Sequence, residues 1–155
     1  MFELLPGTGL VLPRQVGVLS FGMSERDAQW AVASLADVRE SWACGAGWAF
    51  TAAWDGLELS AFGDCEDRQG RSELDRNGLA SVALHRWPET LTGPSAVPVV
   101  LDGVDVFGYP AAEVLDALAP AGHPSVWLPP VSSGSYLREV WVRCPPIDRP
   151  APTRA

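Results

Sequence analysis

Residues 48–62 read Trp48-Ala-Phe-Thr-Ala-Ala-Trp54, Asp55-Gly56, Leu57-Glu-Leu-Ser-Ala-Phe62, and this stretch decides the fold. Two runs rich in apolar and aromatic residues flank a two-residue Asp-Gly link. Asp-Gly is the favoured loop of a tight β-hairpin because both positions take positive φ, which glycine adopts freely and aspartate tolerates. A turn there fixes the register, with Trp54 opposite Leu57, Ala52 opposite Leu59 and Phe50 opposite Ala61. Side chains alternate across a strand, so Trp48, Phe50, Ala52, Trp54, Leu57 and Leu59 share one face, and Thr51, Glu58 and Ser60 take the other. One side of the sheet is built for burial and the other is wetter.

Upstream, Ala28, Ala31, Val32, Leu35 and Val38 recur at helical spacing. Ser24 is a favoured N-cap, and Asp27 makes a capping box with aspartate in place of glutamate. The stripe predicts an amphipathic helix lying on the tryptophan-lined face of the hairpin. Leu10 to Leu12 and Val16 to Phe21 read as short strands around Pro13, and Pro6-Gly-Thr-Gly9 reads as a turn. Downstream, a polar loop from Gly63 to Gly78 leads to a third strand, Leu79 to Arg86. Trp87 to Pro98, with prolines at 88, 94 and 98, reads as a connector.

A second Asp-Gly hairpin follows, Val99-Val-Leu101, Asp102-Gly103, Val104-Asp-Val-Phe107. Phe107-Gly-Tyr-Pro110 then runs into a short helix on Ala111, Val114, Leu115 and Leu118, with Pro110 suited to the first helical position. Ser125 to Leu128 and Tyr136 to Arg143 read as closing strands. The expectation is one α+β domain over residues 1–144, in pseudo-halves of about 1–87 and 97–144, with 145–155 a proline-rich extended tail. Antiparallel sheets of short strands carry two short helices on one face. Phe21-Gly-Met-Ser-Glu-Arg-Asp-Ala and Phe107-Gly-Tyr-Pro-Ala-Ala-Glu-Val form an internal echo, as a duplicated helix-then-sheet unit would.

Gly22-Met23-Ser24, a helix behind it and then aromatic hairpin strands resemble the Gly-Met-Thr start of the BamE/SmpA outer-membrane lipoproteins. The tandem arrangement is similar to that of the β-lactamase-inhibitory-protein family. The resemblance covers about 45 residues, Phe21 to Phe62. It implies a helix-plus-antiparallel-sheet binding module and not an enzyme. The chain departs from those families in having no lipobox, no export signal and no disulfide pattern within the repeats, so the resemblance extends to shape and to no functional residue.

Composition narrows the function. Hydrophobic residues make up 47% and charged residues 19%, with seven tryptophans, which suffices for a packed core. A net charge of −8 repels phosphate backbones and anionic headgroups, which argues against nucleic-acid and membrane partners. No apolar run approaches the roughly 20 residues of a membrane span, and no basic, then apolar, leader opens the chain. Cys44, Cys65 and Cys144 are odd in number, widely spaced and lack a Cys-x-x-Cys pair, the pattern of reduced thiols in the cytoplasm. All eleven basic residues are arginine. A chain without lysine cannot supply a Walker P-loop, a kinase catalytic lysine or a Schiff base.

Few residues remain for chemistry. A nucleophilic pair would have to join Cys44 or Cys65 to one of the two imidazoles, His85 before His123, and no catalytic-cysteine motif surrounds either thiol. His123 lies in the turn Gly122-His-Pro124. No Gly-x-Ser-x-Gly elbow occurs. Glu73-Leu-Asp-Arg-Asn-Gly78 imitates the start of a calcium loop, but its twelfth place is Leu84, so no metal and no cofactor is expected. Asp55 and Asp102 are accounted for by turn chemistry. Trp30 differs, since at 100° per residue it lies opposite the Ala28/Val32/Leu35 stripe, and large aromatics turned outward favour interfaces. Trp42 and Phe62 raise the same question.

The reading that follows is a non-enzymatic cytoplasmic protein-binding module, with Trp30, Trp42 and Phe62 as binding candidates and a protein partner, which the net charge of −8 suggests is basic. An inhibitor or immunity-type protein fits the charge, because complementary fields speed encounter. The alternatives are a small-molecule pocket protein or a small Cys/His enzyme, and a scaffold subunit of a larger assembly.

Overall fold

The computed structural model describes residues 1–42, 46–64, 78–87, 92–129 and 135–145. In chain order these form β1 (Phe2–Leu5), β2 (Gly9–Val11), a short turn at Pro13–Gln15, β3 (Val18–Ser20), α1 (Glu25–Ala33), β4 (Val38–Ser41), β5 (Ala46–Trp54), β6 (Leu57–Asp64) and β7 (Leu79–Arg86). β8 (Val99–Leu101), β9 (Val104–Asp105), α2 (Ala111–Leu118), β10 (Val126–Trp127) and β11 (Glu139–Arg143) follow. The fold is α+β. One sheet has the order β3-β2-β1-β8-β9 and the other β10-β11-β7-β6-β5-β4. β1 and β8 run parallel, and every other pairing between these strands is antiparallel.

The Asp55-Gly56 hairpin has the register its turn dictates, Trp54 to Leu57, Ala52 to Leu59 and Phe50 to Ala61. Asp55 and Gly56 hold φ of 51° and 85°, and Asp102 and Gly103 repeat the geometry at 49° and 80°. Both values belong to the turn whose twist matches that of the flanking strands. Phe50, Ala52, Leu57 and Leu59 are buried, and Trp48 and Trp54 pack against the same core. The first sheet covers this face with Phe2, Leu4, Leu10 and Leu19, which join Val82, Leu84, Val140 and Val142 in one continuous cluster. β2 packs directly on β7 and β11. Gly63 lies under the Trp48 ring, where a Cβ would overlap the indole.

α1 is capped as its sequence requires. Ser24 Oγ accepts from the Asp27 N–H at 3.2 Å and donates to Asp27 Oδ2 at 2.7 Å. Ala28 and Val32 are its buried residues, and the helix packs on β3, β4 and β5. The apolar spacing outruns the helix, which corrects the expected stripe. The N–H groups of Leu35 and Ala36 both donate to the Val32 carbonyl, so the chain turns there. Val38 then opens β4 opposite Ala52 and reaches the core from a strand. Pro110 is also displaced from its expected place. It stands one residue before α2 as an extended N-cap with ψ 141°, and the first helical N–H donates to Ser135 O.

Each sheet draws strands from both pseudo-halves. β1 pairs with β8, and β7 pairs with β11. The Phe-Gly echo therefore marks two local passages from strand through glycine to helix, whose flanking strands are shared by the whole domain. β1 itself is not marked in the sequence, because Phe-Glu-Leu-Leu is too short for its alternation to stand out. Of the polar loop expected from Gly63 to Gly78, Gly63 and Asp64 instead end β6, and residues 65–77, like the tail from 146, lie outside the described residues.

Phe50→Ala removes a fully buried ring from the contact between helix and sheet. The expected loss is about 3–5 kcal/mol in urea unfolding, whereas Ala53→Ser, exposed on the same strand, shifts stability by less than about 0.5 kcal/mol. Gly56→Ala strains a residue at φ 85°, and the expected loss is about 1–2 kcal/mol.

Candidate functional site

The second sheet has one face against the core and one turned away from it. Alternation assigns the outward face Arg39, Thr51, Glu58, Ser60, Phe62, Ser81, Ala83, His85, Glu139, Trp141, Arg143 and Trp127. Register sets these in rows. One row runs Trp127, Trp141, Ala83, Ser60, Thr51, Arg39 across all six strands. The next places His85 between Glu58 and Glu139.

On this face the aromatics meet. Phe62 and Trp141 lie on strands two apart, separated by about 9.5 Å of sheet, yet their rings stack with centroids 5.4 Å apart and planes at 18°. The central strand makes this possible because it carries only Ser81 and Ala83 between them. Ala83 is fully buried although it belongs to the outward face. The His85 ring meets Trp141 edge-on at 5.7 Å and 89°, and the Arg143 guanidinium lies 5.6 Å from the Trp141 centroid.

Glu139 ties the group together. Its Oε2 accepts from Trp141 Nε1–H at 3.2 Å and lies 2.9 Å from His85 Nδ1. The indole is thus held by a stack, an edge contact, a cation and a hydrogen bond. Trp127, its cross-strand neighbour, stays 44% exposed. The face offers a rigid aromatic strip with carboxylate, imidazole and guanidinium groups beside it, a surface suited to contact and poor in nucleophiles.

The expected site residues fall in separate places. Phe62 is in this cluster. Trp30 and Trp42 are 69% and 85% exposed, on α1 and just past β4, away from the strip's row. His85 is engaged by Glu139, while Cys44 and Cys65 lie outside the described residues, as does most of the Glu73–Gly78 segment. Cys144 is half-buried. Among the described residues no group of three or more His, Cys, Asp or Glu side chains is placed to hold a metal, and no helix is long and apolar enough to cross a membrane. Trp141 and Trp127 were missed as candidates. The available signal was a tryptophan on the polar phase of an alternating strand, Glu139-Val-Trp-Val-Arg143.

Two arginines lie against aromatic rings elsewhere in the fold. Arg86 is buried at the end of β7, where its Nη2 donates to Gly93 O at 2.6 Å and its guanidinium lies 5.8 Å and 5.5 Å from the Phe107 and Tyr136 rings. Burial pushes it below its usual value, and the nearby Tyr136 and Asp105 counteract that. Arg14 lies 4.7 Å over the Trp54 ring from a turn in which Arg14 and Gln15 both hold left-handed φ, 60° and 58°. Such a backbone is costly for residues with a Cβ and persists when surrounding contacts hold it; the ring contact is one of these.

No protein family, no curated protein and no solved structure matches the chain significantly.

Ala83→Leu drives a branched side chain between Phe62 and Trp141. The expected result is a loss of about 1–3 kcal/mol in denaturant unfolding, together with a changed near-ultraviolet circular dichroism as the stacked rings separate.

Proposed function

We propose that the chain is a protein-docking module that engages its partner with the outward face of the six-stranded sheet. The observation that carries this is the Phe62–Trp141 stack, fixed by Glu139 and continued by the 44%-exposed Trp127. Tryptophans dominate the energetics of protein interfaces. An aromatic already held in place loses little conformational freedom on binding, so more of its contact energy appears as affinity. The net charge of −8 favours a basic partner, because a field of that sign accelerates encounter and weakens with salt. An inhibitor or immunity-type role fits this combination of acidic field and rigid aromatic surface.

The test uses the whole chain as bait at low ionic strength in lysate of the host cell, beside a Trp127→Ala/Trp141→Ala variant checked for folding by circular dichroism. Each captured protein is then purified and titrated against both. The proposal expects a basic protein that binds the wild type at least about 30-fold more tightly than the variant, the loss of roughly 2 kcal/mol typical of a tryptophan anchor. Its association rate should fall as salt rises. Equal affinity for both chains overturns the assignment of this face. Selective loss in Trp30→Ala or Trp42→Ala does the same, since it moves docking to the side of α1 and β4.

A further inference from the structure

The outward face of the six-stranded sheet sets one imidazole between two carboxylates. Register places Ala53, Glu58, His85 and Glu139 in one row across β5, β6, β7 and β11. Directly opposed residues hold their Cβ atoms about 4.5–5.5 Å apart, so His85 has a glutamate on each side and no arginine in its row. The adjoining row offers it only Ser60 and Ala83 on β6 and β7, with Trp141 on β11. Arg86 and Arg138 belong to the opposite phase of their strands. Two cations share the face, and both are remote. Arg143 stands four residues beyond Glu139, roughly 13 Å along the strand, and lies against the Trp141 ring. Arg39 stands three strands from β7, about 14 Å across the sheet.

The two carboxylates differ in their engagement. Glu139 Oε2 serves Trp141 Nε1–H at 3.2 Å and lies 2.9 Å from His85 Nδ1. Glu58, half-buried, has no hydrogen bond or ion pair among the described residues. Histidine is the side chain that changes charge between about pH 5 and 8. A neutral ring carries one N–H, whereas the imidazolium donates from both nitrogens. With His85 neutral, the row bears two negative charges at the end of the aromatic strip. A proton on the ring halves that charge and sets a cation between the two acids. The Trp141 indole stays tied to Glu139 in either state, so the aromatic surface persists while its field changes.

We propose that His85 is a proton-operated charge switch on the docking face. With the ring neutral, Glu58 and Glu139 draw a partner's cation to the end of the strip; with the ring protonated, the charge is answered from within the chain and the cation is turned away. This rests on the docking proposed above for its consequence, and its test needs no partner.

The test maps the local field of the uniformly ¹⁵N-labelled full chain with two nitroxides, permanently cationic trimethylammonio-TEMPO and neutral hydroxy-TEMPO, at low ionic strength. The readout is the ratio of the relaxation enhancements that they cause at the strand amides of Glu58, His85 and Glu139, at about pH 7.5 and about pH 5.5. In the wild type the ratio should fall about two- to fivefold on acidification, the range of an exposed charge interaction. In His85→Gln it should stay level, and in His123→Gln it should fall as in the wild type. Glu58→Gln should start from a lower ratio at the higher pH. The proposal is overturned if the wild-type ratio holds, if His85→Gln falls as far as the wild type, if His123→Gln abolishes the fall, or if Glu58→Gln leaves the starting ratio unchanged. Equal capture of a partner by the Trp127/Trp141 variant would remove docking from this face without altering these ratios, so the two proposals fail separately.

Discussion

The constraint on which the structure depends is the parity imposed by the turn at Asp55-Gly56. A strand's side chains alternate, so moving the β5–β6 pairing by one residue would turn Phe50, Leu57 and Leu59 to the opposite side of the sheet. The turn forbids that slip by demanding left-handed backbone at two adjacent positions, 51° and 85°. Once parity is set, the rest follows in order. α1 must lie over the apolar side, the first sheet must cover what α1 leaves open, and β7 and β11 must extend the surface in the same phase.

The same parity creates the other face. Positions 58, 60, 62, 81, 83, 85, 139 and 141 are excluded from the core, so their residue types are not dictated by packing of the two sheets. A sheet face left to solvent would need only polar residues there. The chain instead places large rings on β6 and β11 and small residues on β7 between them, and Glu139 fixes the indole by a bond at 3.2 Å. Arranging Ser81 and Ala83 between Phe62 and Trp141 costs β7 apolar contact on that side. The core does not need this arrangement. That supports the docking proposed for the aromatic strip.

Legibility in the sequence followed the range of the interactions. The two Asp-Gly hairpins, the Ser24 cap and the Leu79–Arg86 strand rest on neighbours a few residues apart, and local chemistry specified them, the Asp55-Gly56 hairpin down to its register, while the arm expected over Val104–Phe107 is a strand only over Val104–Asp105. β1 and β4 were harder. Four residues each, they are strands because of the partners they find, β8 across the chain for one and β5 for the other. Val38 had the right spacing for a helix and the right shape for a strand, and tertiary pairing decided between them. The aromatic strip joins residues 62, 85 and 141, and a contact of 2.9 Å joins Asp102 to His123. Only the phase of Phe62 and Trp141 within their strands was visible beforehand. Turn chemistry accounted for Asp102 and left its contact with His123 unseen.

The edges of the second sheet bear on how a partner approaches. β10 is two residues long, and β4, at the opposite edge, is four. Short edges give little backbone for another strand to pair with. β4 adds charge to shortness, with Arg39 and Glu40 both exposed. Consider two copies joined antiparallel through β4 with their cores on the same side. Parity then requires paired residue numbers to sum to an even value. The two registers centred inside the charged pair set Arg39 against Arg39 or Glu40 against Glu40, and like charges directly opposite are destabilising. Self-association by extension of the β4 edge is therefore resisted in those two registers. Trp127 stands next to the short β10 edge and Trp141 one strand further in. A partner arriving from that side meets ordered aromatic surface before it meets any length of unpaired backbone, and this favours recognition through side chains over strand addition.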